Sequence, residues 1–133
     1  MPPARLGHPL FTVHVVPRDG VLRLYRIVRK DDVDRGLERA FTPNHARGLG
    51  PRGPELVSTL IHRGLSMYTT VAGATTTARR FQQIGDHLAE VHLPPDAGIN
   101  LAPTARDPEH VTVWGDTDTL VACVTRIIPI ERS

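Results

Sequence analysis

The run Val21-Leu22-Arg23-Leu24-Tyr25-Arg26-Ile27-Val28-Arg29 is rich in branched residues and has the period of a β-strand. Successive side chains of a strand point to opposite faces. Leu22, Leu24, Arg26 and Val28 therefore share one side, and Arg23, Tyr25, Ile27 and Arg29 share the other. Arg26 interrupts the more apolar face. A guanidinium placed there needs a partner, either a carboxylate such as Glu55 or Glu90 or a bound anion.

Upstream, Phe11 to Val16 reads as a strand closed by the turn Pro17-Arg18-Asp19-Gly20. Downstream, residues 31–53 are the least regular part of the chain. With Pro43, Gly48, Gly50, Pro51 and Gly53 among them, residues 42–53 are expected to form an exposed loop beside a functional cleft. Pro54 to Arg63 follows as a short helix, with Pro54 at its first position and a stripe of Leu56, Val57, Leu60 and Ile61. Gly64 would end it in the left-handed conformation.

Leu65 to Thr69 is a brief strand. Thr70 is placed to cap a second helix, residues 71–81, whose face carries Val71, Ala74, Ala78 and Phe81. His87–Leu93, Val111–Trp114 and Leu120–Ile128 are strands, with a shorter one at Gly98–Ala102. This order predicts an α+β fold: a twisted or split, mainly antiparallel sheet with two short helices segregated from it.

The 133 residues have the length of one domain, spanning 1–133, with residues 1–9 expected to be a flexible N-terminus. Aromatics are only 5% of the chain, so Val, Leu, Ile and Ala must build the core. The single Cys123, among apolar neighbours, reads as a small buried hydrophobe and gives no sign of an oxidising compartment. The N-terminus has no run resembling a signal peptide, and no stretch approaches the roughly twenty apolar residues of a membrane span. The expected location is cytoplasmic, with no membrane partner. Net charge is +2, and fifteen of the sixteen basic residues are Arg, the residue of bidentate phosphate and carboxylate contacts. A genome whose base composition favours Arg codons gives the same usage.

The chain has no P-loop, no GxGxxG after a strand, no GxSxG elbow and no paired CxxC. His87 and His92 fall on opposite faces of their strand, so no metal site is expected from them. Asp116-Thr117-Asp118 reads as a turn or cap.

The remaining pattern is distributed. Leu24-Tyr25-Arg26 lies on an early strand, Ser66-Met67-Tyr68-Thr69-Thr70 leads from a strand into a helix, and Glu109 precedes the late strand His110-Val111-Thr112-Val113-Trp114. From about Arg23 to Pro129 this resembles the ADP-ribosyltransferase superfold. The resemblance implies NAD as substrate, held by Arg26 with help from Arg23 or Arg52. It implies that Ser66, Tyr68 and Thr69 frame the nicotinamide ribose, and that Glu109 is the catalytic acid. An NAD-dependent transferase of toxin or modification type, with a protein or nucleic-acid acceptor, follows from the same resemblance. The chain departs from the family pattern in lacking a Ser-Thr-Ser triplet and a Glu-x-Glu or Gln-x-Glu pair before the late strand.

Each of these residues also has a purely structural reading. Arg26 can be one half of an ion pair, Thr69 and Thr70 strand and cap residues, Tyr68 and Trp114 core aromatics, and Glu109 a solvated turn residue. A second function stays open too: a non-enzymatic module meeting a protein or nucleic acid through the Arg-containing loop 47–53.

Overall fold

The computed structural model describes residues 14–15, 21–44, 46–50, 63–94, 97–103, 107 and 109–131. Among these residues seven strands occur in chain order: β1 (His14–Val15), β2 (Leu22–Val28), β3 (Leu65–Tyr68), β4 (His87–Leu93), β5 (Asn100–Pro103), β6 (His110–Trp114) and β7 (Val124–Pro129). They form one sheet in the order β1-β5-β6-β3-β2-β4-β7, every neighbouring pair antiparallel. The helices are α1 (Lys30–Arg35), α2 (Val71–Arg80) and α3 (Thr117–Ala122). The α+β class and the antiparallel sheet are those the sequence predicts, and the sheet does not close into a barrel.

The pleat sorts the core into two layers. Leu24, Val28, Met67, Ala89, Val91 and Val113 pack together with Phe41 and Leu120 on one side of the sheet. On the other, Ile27, Tyr68 and Leu88 pack against Ala74 and Ala78 of α2. Small residues on α2 let its backbone lie close to the strands. The Thr70 hydroxyl accepts a hydrogen bond from the Gly73 N–H at 3.0 Å, fixing the start of the helix where the sequence predicts a cap.

The β2–β4 seam is continuous, from Leu22 opposite Leu93 to Val28 opposite His87. The β2–β3 seam is not: its register is carried by Tyr25 opposite Tyr68. Beyond that pair the two strands part. Phe41 from the segment after α1 is fully buried beneath the sheet, and its carbonyl accepts from the Thr117 hydroxyl of α3 at 3.0 Å.

Several expectations need correction. Leu120 to Ile128 does not form one strand: residues 120–122 belong to α3, and β7 starts at Val124. The Asp116 carboxylate accepts from the Thr119 N–H at 3.1 Å, and that cap commits the following turn to helix before the alternating apolar pattern can pair. Within the segment expected to be irregular, α1 forms, with Asp32 accepting from the Arg29 N–H at 3.3 Å. Gly64 does not have a positive φ. A Cβ there would press on Thr112, Trp114 and the Val113 carbonyl of β6, so close approach explains this glycine. The helix expected at 54–63, with Glu55, lies outside the described residues, as do Arg52 and most of the strand expected at 11–16.

Of the two carboxylates offered as partners of Arg26, Glu90 does not pair with it, and Glu55 lies outside the described residues. Glu90 stands opposite Tyr25, not Arg26, and therefore on the other face. Its carboxylate meets Arg126 at 3.1 Å, His92 at 3.0 Å and the Thr125 hydroxyl at 3.3 Å. Burial alone would raise the Glu90 pKa, but its bonds with His92, Tyr25 and Arg126 together hold it below the usual value.

Candidate functional site

A cavity of about 1040 Å³ opens where β2 and β3 part. Arg26, Ile27 and Arg29 reach it from β2 and its end, Leu65, Ser66 and Tyr68 from β3. Asp107 and His110 contribute from the entrance of β6, and Thr76, Thr77 and Arg80 from α2. The segment after α1 supplies Arg39 and Ala40, and the loop beyond it Asn44, Arg47 and Leu49. The described part of loop 42–53 thus borders the cleft, with residues 46–48 and 50 exposed.

Arg26 is held by the main chain. Its Nε donates to the Ala40 carbonyl at 2.6 Å and its NH1 to the Ser66 carbonyl at 2.8 Å. The guanidinium also lies 5.9 Å from the centre of the Phe41 ring. It therefore spans the two separating strands by a side chain where a backbone ladder would otherwise continue.

Tyr68 and His110 stand opposite each other on β3 and β6. Their rings meet edge to face, 5.4 Å apart at 77°. Burial pushes the Tyr68 phenol above its ordinary pKa and the nearby Asp107 charge adds to this, while Thr77 and Arg26 pull the other way. Burial lowers the His110 pKa, and Asp107 opposes that shift. At neutral pH the cleft thus presents a protonated phenol and a neutral imidazole.

The two acids before β6 are placed differently. Asp107 lines the cleft, and its Oδ1 accepts from the Glu109 N–H at 2.9 Å. Glu109 does not line it. The Glu109 carboxylate rests against Gly73 and the first turn of α2, where any Cβ would collide with it. Its carbonyl accepts from the Thr69 N–H at 2.9 Å. Of the residues expected from sequence, Arg26, Ser66 and Tyr68 come together in the cleft, whereas Thr69 and Glu109 join one another just beyond it. Asp107 and His110 were missed. Asp107 precedes Pro108 and reads as turn chemistry, and His110 reads as a strand residue with no second ligand near it in sequence.

The charge of the cleft is positive, with guanidinium groups of Arg26, Arg29, Arg39, Arg47 and Arg80 against the carboxylates of Asp31, Asp32 and Asp107. Asp31 pairs with Arg35 at 3.2 Å, and Arg29 donates to the Gln83 carbonyl at 2.8 Å. Among the described residues the guanidinium groups of Arg39 and Arg47 have no hydrogen-bond or ion-pair partner. Such an arrangement suits an anionic ligand with several acceptor oxygens.

Comparison with known proteins found no matching family model, no matching curated protein and no matching solved structure.

Proposed function

We propose that the cleft binds NAD and that the protein is an ADP-ribosyltransferase-like enzyme of toxin or modification type, acting in the cytoplasm on a protein or nucleic-acid acceptor. One observation carries this reading. Three segments scattered along the chain become adjacent strands, β2, β3 and β6, and the parting of β2 from β3 leaves a cleft of dinucleotide size between them. Of the four residues the resemblance assigns to the dinucleotide, Arg26, Ser66 and Tyr68 line that one space and Thr69 lies beyond it.

The chemistry follows from the residues present. Transfer breaks the bond between ribose and nicotinamide, the bonding pair leaves with the ring, and positive charge grows on the sugar. A fixed carboxylate stabilises that charge. Asp107 faces the cleft and takes this role, and Glu109, through its backbone, holds the Asp107 carboxylate in place. Arg39 and Arg47 meet the pyrophosphate, and Arg26 keeps the two strands at the separation the ligand needs. No membrane-spanning helix occurs among the described residues.

Release of nicotinamide from NAD by the purified protein tests the reading. Slow hydrolysis to ADP-ribose without an acceptor is the expected result, since water can attack the same sugar carbon. No release, with or without cell extract as acceptor, would contradict it.

A second reading rests on Arg39 and on Arg47 of loop 47–53, whose guanidinium groups have no partner among the described residues. A binding module would use them on an anionic macromolecule, and single-stranded nucleic acid would then stabilise the protein in a salt-dependent way while NAD would not.

A further inference from the structure

Sequence periodicity puts Phe81 on the buried stripe of α2, and the structure does not. Ala74 and Ala78 are fully buried, but Phe81 is 43% exposed and Ile84, one short turn later, is 41% exposed. Phe41 is fully buried, so exposure of Phe81 is not a general trait of this chain's phenylalanines. The backbone produces the exposure. At Phe81 the chain leaves helical geometry, with φ −124° and ψ 73°. Its N–H still donates to the Thr77 carbonyl at 2.9 Å, and its carbonyl accepts from the Ile84 N–H at 3.0 Å. The ring is therefore mounted on an ordered turn.

Phe81 and Ile84 both line the cleft. The Arg80 guanidinium lies over the Phe81 ring, 5.2 Å from its centre. A guanidinium over an exposed ring, with Ile84 lining the same cleft, offers a base aromatic, cationic and aliphatic contacts together. A nucleotide needs two things from a site: a flat surface for its base and donors for its phosphates. The same cleft holds the guanidinium groups of Arg39 and Arg47, which have no partner among the described residues, and a polar end at Tyr68, His110 and Asp107.

We infer that Phe81, with Arg80 and Ile84, is the platform on which the adenine of NAD stacks. The inference rests on the NAD reading of the cleft and fixes the direction of the ligand. Adenine lies at the C-terminal end of α2, the pyrophosphate between the arginines, and the nicotinamide ribose at Tyr68 and Asp107.

The test titrates the full chain, its Phe81→Ala variant and its Phe81→Trp variant with NAD, AMP and nicotinamide mononucleotide by calorimetry. Base–aromatic stacking removed by alanine corresponds to roughly 5- to 140-fold in affinity. Phe81→Ala should weaken NAD and AMP by that factor and leave nicotinamide mononucleotide unchanged, and Phe81→Trp should bind like the parent. Phe81 is exposed, so the alanine variant should melt like the parent, which separates lost stacking from lost folding. Equal affinity of parent and Phe81→Ala for NAD and AMP would overturn the platform alone. Absence of NAD binding by the parent would overturn the NAD reading as well. Single-stranded oligonucleotide bound in place of NAD, and lost on Phe81→Ala, would assign the platform to a nucleic-acid base and overturn the adenine assignment.

Discussion

The NH1 of Arg26 donates to the carbonyl of Ser66 at 2.8 Å, just past the Tyr25–Tyr68 pair where β2 and β3 separate. One side chain thus closes the backbone polar group that the split in the sheet leaves open. Its Nε does the same for Ala40, at 2.6 Å. A split sheet is unstable without such a bridge, because partly buried carbonyls lose hydrogen bonds.

Arg26→Ala should therefore cost about 2 to 4 kcal/mol in denaturant melts, from two carbonyls each deprived of a charged donor. Arg26→Lys should recover only part of this, since one ammonium cannot reproduce the guanidinium fork. A loss under about 0.5 kcal/mol would mean that the bridge does not hold the cleft.

Asp107 and Glu109 are separated by a single residue, yet only Asp107 faces the cleft. Asp107→Asn keeps an oxygen for the Glu109 N–H but removes the charge, and it should slow nicotinamide release by about 100-fold. Glu109→Gln should stay within about threefold of the parent, because the Glu109 carboxylate packs on α2. The reverse ranking, measured as initial rates, would return the catalytic role to Glu109.

Stability should depend on pH through His110 and Glu90. His110 has a folded pKa below its ordinary 6.5, so the unfolded chain binds more protons as pH falls past that value, and stability is lost. Glu90, held below 4.5, contributes stability that is present above 4.5 and is lost as pH falls through its folded value. The melting temperature should decline from about pH 6.5 downward, and more steeply below about 4.5. His110→Gln should flatten the first stage only. A melting temperature constant from neutral pH to pH 4.5 would contradict the His110 assignment.

Much of the sheet was legible because period-two alternation in β2, β4 and β6 is imposed by burial on one or both faces. The Thr70 cap was legible because a short hydroxyl before a helix has one obvious donor to satisfy. α1 was not, since none of its residues is buried and it leaves no apolar stripe. α3 was hidden for a different reason: Leu120, Ala122 and Val124 alternate like a strand, while of the three only Leu120 is fully buried. The neighbourhood of Arg26 and Ser66, forty residues apart, depends on strand order, which local pattern does not encode. Asp107 escaped because exposure in a cleft and exposure to bulk solvent look the same in a sequence, and Phe81 because helical periodicity puts it on the apolar face of α2, whereas the backbone leaves helical geometry there.

NAD titration of the intact protein, followed by thermal or denaturant melting, tests the central claim most directly. A ligand bound by the folded state alone adds about 2.7 kcal/mol of stability at 100 times its dissociation constant. The account predicts a shift of that size that saturates with NAD and is strongly reduced by Arg39→Ala combined with Arg47→Ala. Melting that does not move at millimolar NAD would contradict it.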